Sequence, residues 1–105
     1  MRKEKTLIVD IDGTILNQKG PGTYHEAKPL PGALEAISLL YEKYNIIFYT
    51  ARNNKWKELT LKQLKEFGFK YDKLVMDKPA GEYYIDDRAL RFEGSWNEIT
   101  TQIEK

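Results

Sequence analysis

The chain has 105 residues, 41% of them hydrophobic and 31% charged, which suits one small domain and leaves too few residues for two cores. Its 17 lysine and arginine residues nearly balance its 16 aspartate and glutamate residues, so overall charge favours neither a nucleic acid nor an acidic membrane as partner. The absence of cysteine excludes disulfides, thiolate metal sites and thiol catalysis.

The N-terminal residues are charged, and only three apolar residues, 7 to 9, precede Asp10. A secretory signal needs a longer apolar stretch, and a membrane-spanning helix needs about 20 apolar residues. The lack of cysteine also fits a reducing compartment. We therefore expect a cytoplasmic protein.

Four short β-prone runs predict strands. They cover residues 6–9, 45–49, 73–76 and 82–85. The first is a continuous apolar run, which is typical of a strand that is buried on both faces. The fourth is brief and has the weakest pattern.

Three amphipathic stretches predict helices. The first opens with Pro29-Leu30-Pro31-Gly32, where proline near the first turn suits a helix start, and has an apolar stripe that extends from Leu34 to Tyr44. The second covers residues 54–67, and Gly68 occupies the position of a left-handed C-terminal cap. The third covers residues 96–103.

The alternation of strands and helices predicts a single domain over residues 1–105, with a Rossmann-like three-layer α/β/α fold and a small, mostly parallel sheet. Right-handed crossovers would place the first strand centrally, with the second and third strands on one side and the fourth on the other. Residues 15–29 have room for a short flap and no more, predicted as a β-hairpin with its tip at 20–22.

Each predicted strand ends in residues that suit phosphate chemistry. In chain order they are Asp10, Asp12, Gly13 and Thr14; Thr50, Ala51 and Arg52; Lys78; and Asp86 and Asp87. The carboxyl ends of parallel strands meet at one edge of a sheet, where ligands of such sheets bind. These residues should therefore converge on one site.

Hydrolysis of a phosphate monoester is among the slowest uncatalysed reactions, and a carboxylate nucleophile such as Asp10 can split it into two easier steps. Because the nucleophile and the phosphate are both anionic, cations must offset their repulsion, and Mg²⁺ and Lys78 can do so. Asp12 is placed to carry the proton, and Thr50 offers a neutral donor. Gly13 lets the chain turn and present N–H groups to the phosphate.

The run Asp10-Ile11-Asp12-Gly13-Thr14 with Thr50, Lys78 and the pair Asp86-Asp87 resembles the four ordered motifs of the haloacid-dehalogenase-like superfamily, over roughly residues 5 to 92. Lys78-Pro79 and residues 84–91 resemble a smaller group within it, the bacterial capsule-biosynthesis phosphatases.

The resemblance implies three sets of site residues. The catalytic set is Asp10 as nucleophile, Asp12 as general acid and base, and Lys78, which holds the phosphate and orients Asp10. The phosphate-binding set is Gly13, Thr14, Thr50, Ala51 and Arg52, the last at the position of a substrate-phosphate arginine in polynucleotide phosphatases. The Mg²⁺ set is Asp10, Asp12 through its main-chain carbonyl, Asp86 and Asp87, and the sequence does not decide which of the last two ligates directly.

The expected function is Mg²⁺-dependent hydrolysis of a phosphorylated small molecule such as a sugar phosphate. A site without a cap also suits nucleic-acid ends or phosphoproteins, or a second subunit that supplies the lid. A phospho-accepting signalling domain is the alternative from another class, although receiver domains place the acceptor aspartate after a later strand. Contact of His25 or Arg52 with substrate is left open.

Overall fold

The computed structural model describes residues 3–18 and 20–104, which form three strands, three α-helices and two short 3-10 helices. In chain order the main elements are β1 (Thr6–Val9), α1 (Ala33–Lys43), β2 (Asn45–Tyr49), α2 (Lys57–Phe67), β3 (Lys73–Val75) and α3 (Trp96–Ile103). The 3-10 helices, Pro21–Glu26 and Asn54–Trp56, precede α1 and α2. The predicted α/β class with a parallel sheet is confirmed.

The sheet has the order β1-β2-β3, with both pairs parallel. Leu7 pairs with Ile46 and Val9 with Phe48, so these four side chains share the face that packs on the hydrophobic core. Ile8 lies on the opposite face and is 67% exposed. The prediction that the first strand is buried on both faces is therefore wrong, because only its alternate residues meet the core.

All three helices contribute to that core. Ile37 and Leu40 of α1, Leu64 of α2, and Trp96 and Ile99 of α3 are buried in it. The side chain of Ser95 accepts a hydrogen bond from the Glu98 N–H at 3.1 Å, which caps the start of α3. None of the helices within the described ranges is long and apolar enough to cross a membrane.

Gly68 ends α2 in the left-handed region, with φ at 87°, and its N–H donates to the carbonyls of Leu64 and Lys65. The predicted cap is confirmed. Gly68→Ala should lower the free energy of unfolding by about 1–2 kcal/mol, because a side chain disfavours this backbone conformation. A Cβ added there would meet no atom within 4 Å, so the cost comes from the backbone alone.

Urea unfolding measures the effect of Gly68→Ala, and Gly22→Ala is the matched control. A Cβ at Gly22 also meets nothing within 4 Å, and Gly22 is not among the glycines with positive φ. We expect the control to leave stability unchanged or slightly raised. Equal losses in the two variants would contradict the assignment.

The prediction of a fourth strand at residues 82–85 is wrong. These residues form no strand, Ile85 is 99% exposed, and β1 is an edge strand of the sheet rather than its centre. Four residues without a bonded neighbour make a marginal strand. Here the Tyr84 hydroxyl donates to the Pro79 carbonyl at 2.9 Å and accepts from the Gly81 N–H, which folds the segment back on itself.

The flap at residues 15–29 is present, but the prediction that it is a β-hairpin is wrong. Its base is closed by one antiparallel bridge between Leu16 and Pro29. Its middle is the 3-10 helix Pro21–Glu26, which begins within the predicted tip. Lys19 lies outside the described residues. Proline near the first turn favours a helical start over a strand, because it lacks the N–H that a ladder requires.

Candidate active site

A cleft of about 220 Å³ opens at the carboxyl edge of the sheet, where the sequence predicted a site. It is lined by Asp10, Asp12, Gly13, Tyr24, Thr50, Ala51, Lys78 and Tyr84. Six of these residues were predicted to lie at the site, and they come from the ends of all three strands because a parallel sheet brings those ends together.

Asp10 directly follows β1, and 36% of its side chain is exposed. Its Oδ1 lies 3.8 Å from the Lys78 ammonium, and its Oδ2 accepts a hydrogen bond from the Thr14 hydroxyl at 3.3 Å. Burial raises the pKa of Asp10; the Lys78 charge, the Ile11 N–H and the Thr14 hydroxyl lower it less, and the Asp12 charge adds to the rise. Oδ1 is thus the oxygen beside the cation.

Asp12 is held on both carboxylate oxygens by Arg52. The Arg52 Nε donates to Oδ2 and Nη2 donates to Oδ1, each at 2.8 Å. Asp12 is 14% exposed, whereas Arg52 is buried at 1% exposure. Arg52 does not line the cleft, so the structure does not bring it to the position of a phosphate ligand.

Residues 11–16 form a tight turn in which Gly13 has φ at 86°, as predicted for a sharp change of direction. The N–H of Gly13 donates to the Leu16 carbonyl at 2.7 Å, and the N–H of Thr14 donates to the Ile11 carbonyl at 3.1 Å. These two N–H groups therefore stabilise the turn itself, and the expectation that Gly13 presents its N–H to a phosphate is not met. Trp96 fixes the turn by donating from Nε1 to the Thr14 carbonyl at 2.7 Å.

The loop after β3 is tied to the loop after β2. The Lys78 N–H donates to the Thr50 carbonyl and the Asp77 N–H to the Arg52 carbonyl, each at 2.9 Å. Asp77 has φ at 61°, a conformation that Asp tolerates better than most residues. The buried Thr50 hydroxyl accepts the Arg52 N–H at 3.1 Å, which leaves its own proton for a ligand in the cleft.

Two tyrosines complete the mouth of the cleft. The Lys78 ammonium lies over the face of the Tyr84 ring, 4.4 Å from the ring centroid. Tyr24, from the flap, is buried, and burial and the Asp12 charge raise its pKa, while Arg52 lowers it less. His25 is exposed and its ring packs against Trp56, outside the cleft lining. Tyr84 fell within the predicted strand 82–85 and the resemblance over residues 84–91, but neither gave this side chain a place at the site.

Asp86 and Asp87 are exposed and lie outside the cleft lining. Asp86 Oδ1 instead accepts the Arg88 N–H at 2.8 Å in a local turn. Among residues 3–18 and 20–104, no three His, Cys, Asp or Glu side chains are placed to share a metal ion. The predicted metal set of Asp10, Asp12, Asp86 and Asp87 is therefore not assembled, because the strand that should carry the last pair to the edge does not form.

No family model and no curated protein matches this chain. A crystal structure of an MCSG target from Vibrio cholerae is similar to it, with a TM-score of 0.72 and 28% sequence identity, covering 97% of this chain and 100% of that one. The likeness establishes the α/β fold of this chain.

Proposed function

We propose that this protein hydrolyses phosphomonoesters through an aspartyl-phosphate on Asp10, as a capless member of the haloacid-dehalogenase-like superfamily. The observation that carries the proposal is the placement of Asp10 Oδ1 3.8 Å from the Lys78 ammonium, in a cleft that Asp12 and Thr50 also line. These four residues offer a nucleophile, a cation, a proton carrier and a neutral donor.

In the first step Asp10 Oδ1 attacks phosphorus, and the bond from phosphorus to the leaving oxygen breaks. Thr14 orients the carboxylate by its hydrogen bond to Oδ2. Lys78 offsets the charge that approaches Asp10, and the Thr50 hydroxyl donates to a phosphoryl oxygen. Asp12 supplies the proton that the leaving oxygen takes up.

In the second step a water molecule attacks the phosphorus of the acyl-phosphate and gives its proton to Asp12. The bond from phosphorus to Asp10 Oδ1 breaks, which frees the carboxylate and releases inorganic phosphate. Both Asp12 oxygens accept bonds from Arg52, but each carboxylate oxygen has a second acceptor site for this exchange.

Magnesium belongs to the proposal, although the described side chains do not assemble its site. Proteins bind Mg²⁺ through one or two carboxylates, with substrate phosphate and water as further ligands. Asp10 offers one such carboxylate in the cleft, and Asp86 and Asp87 stay outside its lining. A bound Mg²⁺ would neutralise phosphate charge.

For the substrate we favour a phosphorylated small molecule such as a sugar phosphate, in the cytoplasm, and capsule polysaccharide biosynthesis as the setting. The cleft of about 220 Å³ is smaller than the ~300–1,000 Å³ of common ligand pockets, so it suits a phosphoryl group and the first atoms of its leaving group. A nucleic-acid-end or phosphoprotein phosphatase is the second candidate, and the exposure of Asp10 favours it. The burial of Arg52 removes the other argument for it.

The test is release of inorganic phosphate from 4-nitrophenyl phosphate, sugar phosphates, nucleotides and 3′-phosphorylated oligonucleotides, with Mg²⁺ and with EDTA. We expect turnover of the small phosphomonoesters, reduced at least about a hundredfold by EDTA because the cation contributes several kcal/mol to charge stabilisation. Activity confined to oligonucleotides would support the second candidate. A stable phospho-protein without turnover would contradict hydrolysis and favour a phospho-accepting signalling domain.

A further inference from the structure

Arg52 is a fully buried cation whose guanidinium donates four hydrogen bonds. Two go to Asp12, and Nη1 donates to the Thr60 hydroxyl at 3.0 Å and to Gln63 Oε1 at 2.7 Å. The Tyr24 ring covers the guanidinium, with 4.2 Å between the ring centroid and Cζ. A guanidinium has five N–H groups. Four of them are therefore engaged within the protein.

That arrangement separates Arg52 from the substrate. A phosphate ligand would need N–H groups that point into the cleft, and the lining of the cleft includes Asp12 but not Arg52. The planar fork of a guanidinium fits both oxygens of one carboxylate at once, which fixes the plane of that carboxylate as well as its position. Arg52 therefore orients Asp12, and Asp12 lines the cleft.

We infer that Arg52 is a positioning residue that holds the Asp12 carboxylate in the orientation for proton transfer, and that Thr60, Gln63 and Tyr24 hold Arg52 itself. This inference rests on the proposed function. Gln63 also donates from Nε2 to the Tyr24 carbonyl at 2.6 Å, so the network joins α2 and the flap. Displacement of either element would move Asp12 through Arg52.

Leaving groups of different basicity distinguish this role from phosphate binding. An alkyl leaving oxygen needs a proton as its bond breaks, whereas 4-nitrophenolate departs without one. Arg52→Lys keeps the charge but cannot grip both Asp12 oxygens. We expect kcat/KM for glycerol 1-phosphate to fall about tenfold more than kcat/KM for 4-nitrophenyl phosphate, and inhibition by inorganic phosphate to stay unchanged.

Two outcomes would overturn the inference. Equal losses for the two substrates would give Arg52 a purely structural role, and weaker inhibition by inorganic phosphate would make it a phosphate ligand. Arg91→Lys, at an exposed arginine, is the matched control and should leave the substrate ratio unchanged. If Arg52→Lys does not fold, Thr60→Val removes one acceptor of Nη1 and should give the same selective loss, smaller in size; an equal loss for both substrates contradicts the inference there too.

A stability measurement keeps this inference apart from the proposed function. Urea midpoints of Arg52→Gln, Asp12→Asn and the double variant form a cycle that does not depend on catalysis. We expect the double variant to lose less than the sum of the single losses, because each single change leaves a buried partner unpaired. Additive losses would overturn the contact between Arg52 and Asp12. A wild-type protein that is inactive on every phosphomonoester would instead refute the proposed function.

Discussion

Asp10→Asn is expected to lower the rate of Mg²⁺-dependent hydrolysis of 4-nitrophenyl phosphate by at least about a thousandfold, as losses of catalytic nucleophiles do. The amide keeps the size of the side chain and an acceptor for the Thr14 hydroxyl, but it cannot form the acyl-phosphate. Steady-state kinetics at saturating Mg²⁺ measure the loss. Acid-quenched samples of the wild-type protein should carry phosphate on Asp10, and those of the variant should not.

The same substitution should leave stability at neutral pH unchanged or higher. Because burial raises the pKa of Asp10, the folded protein binds a proton more tightly than the unfolded chain does. Stability from this group is complete below the unfolded pKa and is lost as pH rises through the folded pKa, so the ionised carboxylate costs stability at neutral pH. The uncharged amide of Asn does not have this cost. Active-site residues commonly reduce stability in this way, so their replacement can raise it. Urea unfolding at pH 7 measures it.

Asp77→Asn is the matched control for the loss of hydrolysis expected in Asp10→Asn. It makes the same chemical change next to Lys78, at a residue that does not line the cleft. Asn tolerates the left-handed conformation of residue 77, so the backbone should stay in place. We expect its kinetics to match the wild type. Retention of more than a few per cent of the rate in Asp10→Asn would remove Asp10 from the role of nucleophile.

The sequence predicted most of the fold because the signals that define it are local. Apolar runs at 6–9, 45–49 and 73–76 became β1, β2 and β3, and the amphipathic stripes became the three helices. The run at 82–85 has a similar composition, but it does not pair with any strand of the sheet. Whether a short strand forms depends on bonds to another segment, which composition does not report.

The site was predicted where strand ends carry it and missed where side chains meet across the fold. Asp10, Thr50 and Lys78 converge because parallel strands end at one edge. The role of Arg52 depends on Thr60 and Gln63, two polar residues on the buried side of α2. Polar residues at buried helical positions are a signal that some cation or polar group lies opposite them. The spacing of Thr60 and Gln63 along α2 does not identify Arg52 as the group opposite them.

Lys78→Met should lower kcat/KM by about a hundredfold or more even at saturating Mg²⁺, because phosphate charge near Asp10 loses a fixed cation. The ammonium now lies 3.8 Å from Asp10 Oδ1 and lowers the pKa of that carboxyl against the effect of burial. Removal of the charge should therefore raise the pKa of Asp10 further. The acidic limb of the kcat/KM profile should move to higher pH, since the nucleophile has to be ionised.

The pH profile is what makes this prediction specific. Lys73→Met removes a lysine from an exposed position in β3, outside the cleft lining, and should leave both the rate and the acidic limb unchanged. If Lys78 acted only through the overall positive charge of the protein, Lys78→Met and Lys73→Met would lower the rate alike. An unchanged rate in Lys78→Met, or an acidic limb that moves to lower pH, would show that Lys78 and Asp10 do not form the charged pair on which the proposed reaction depends.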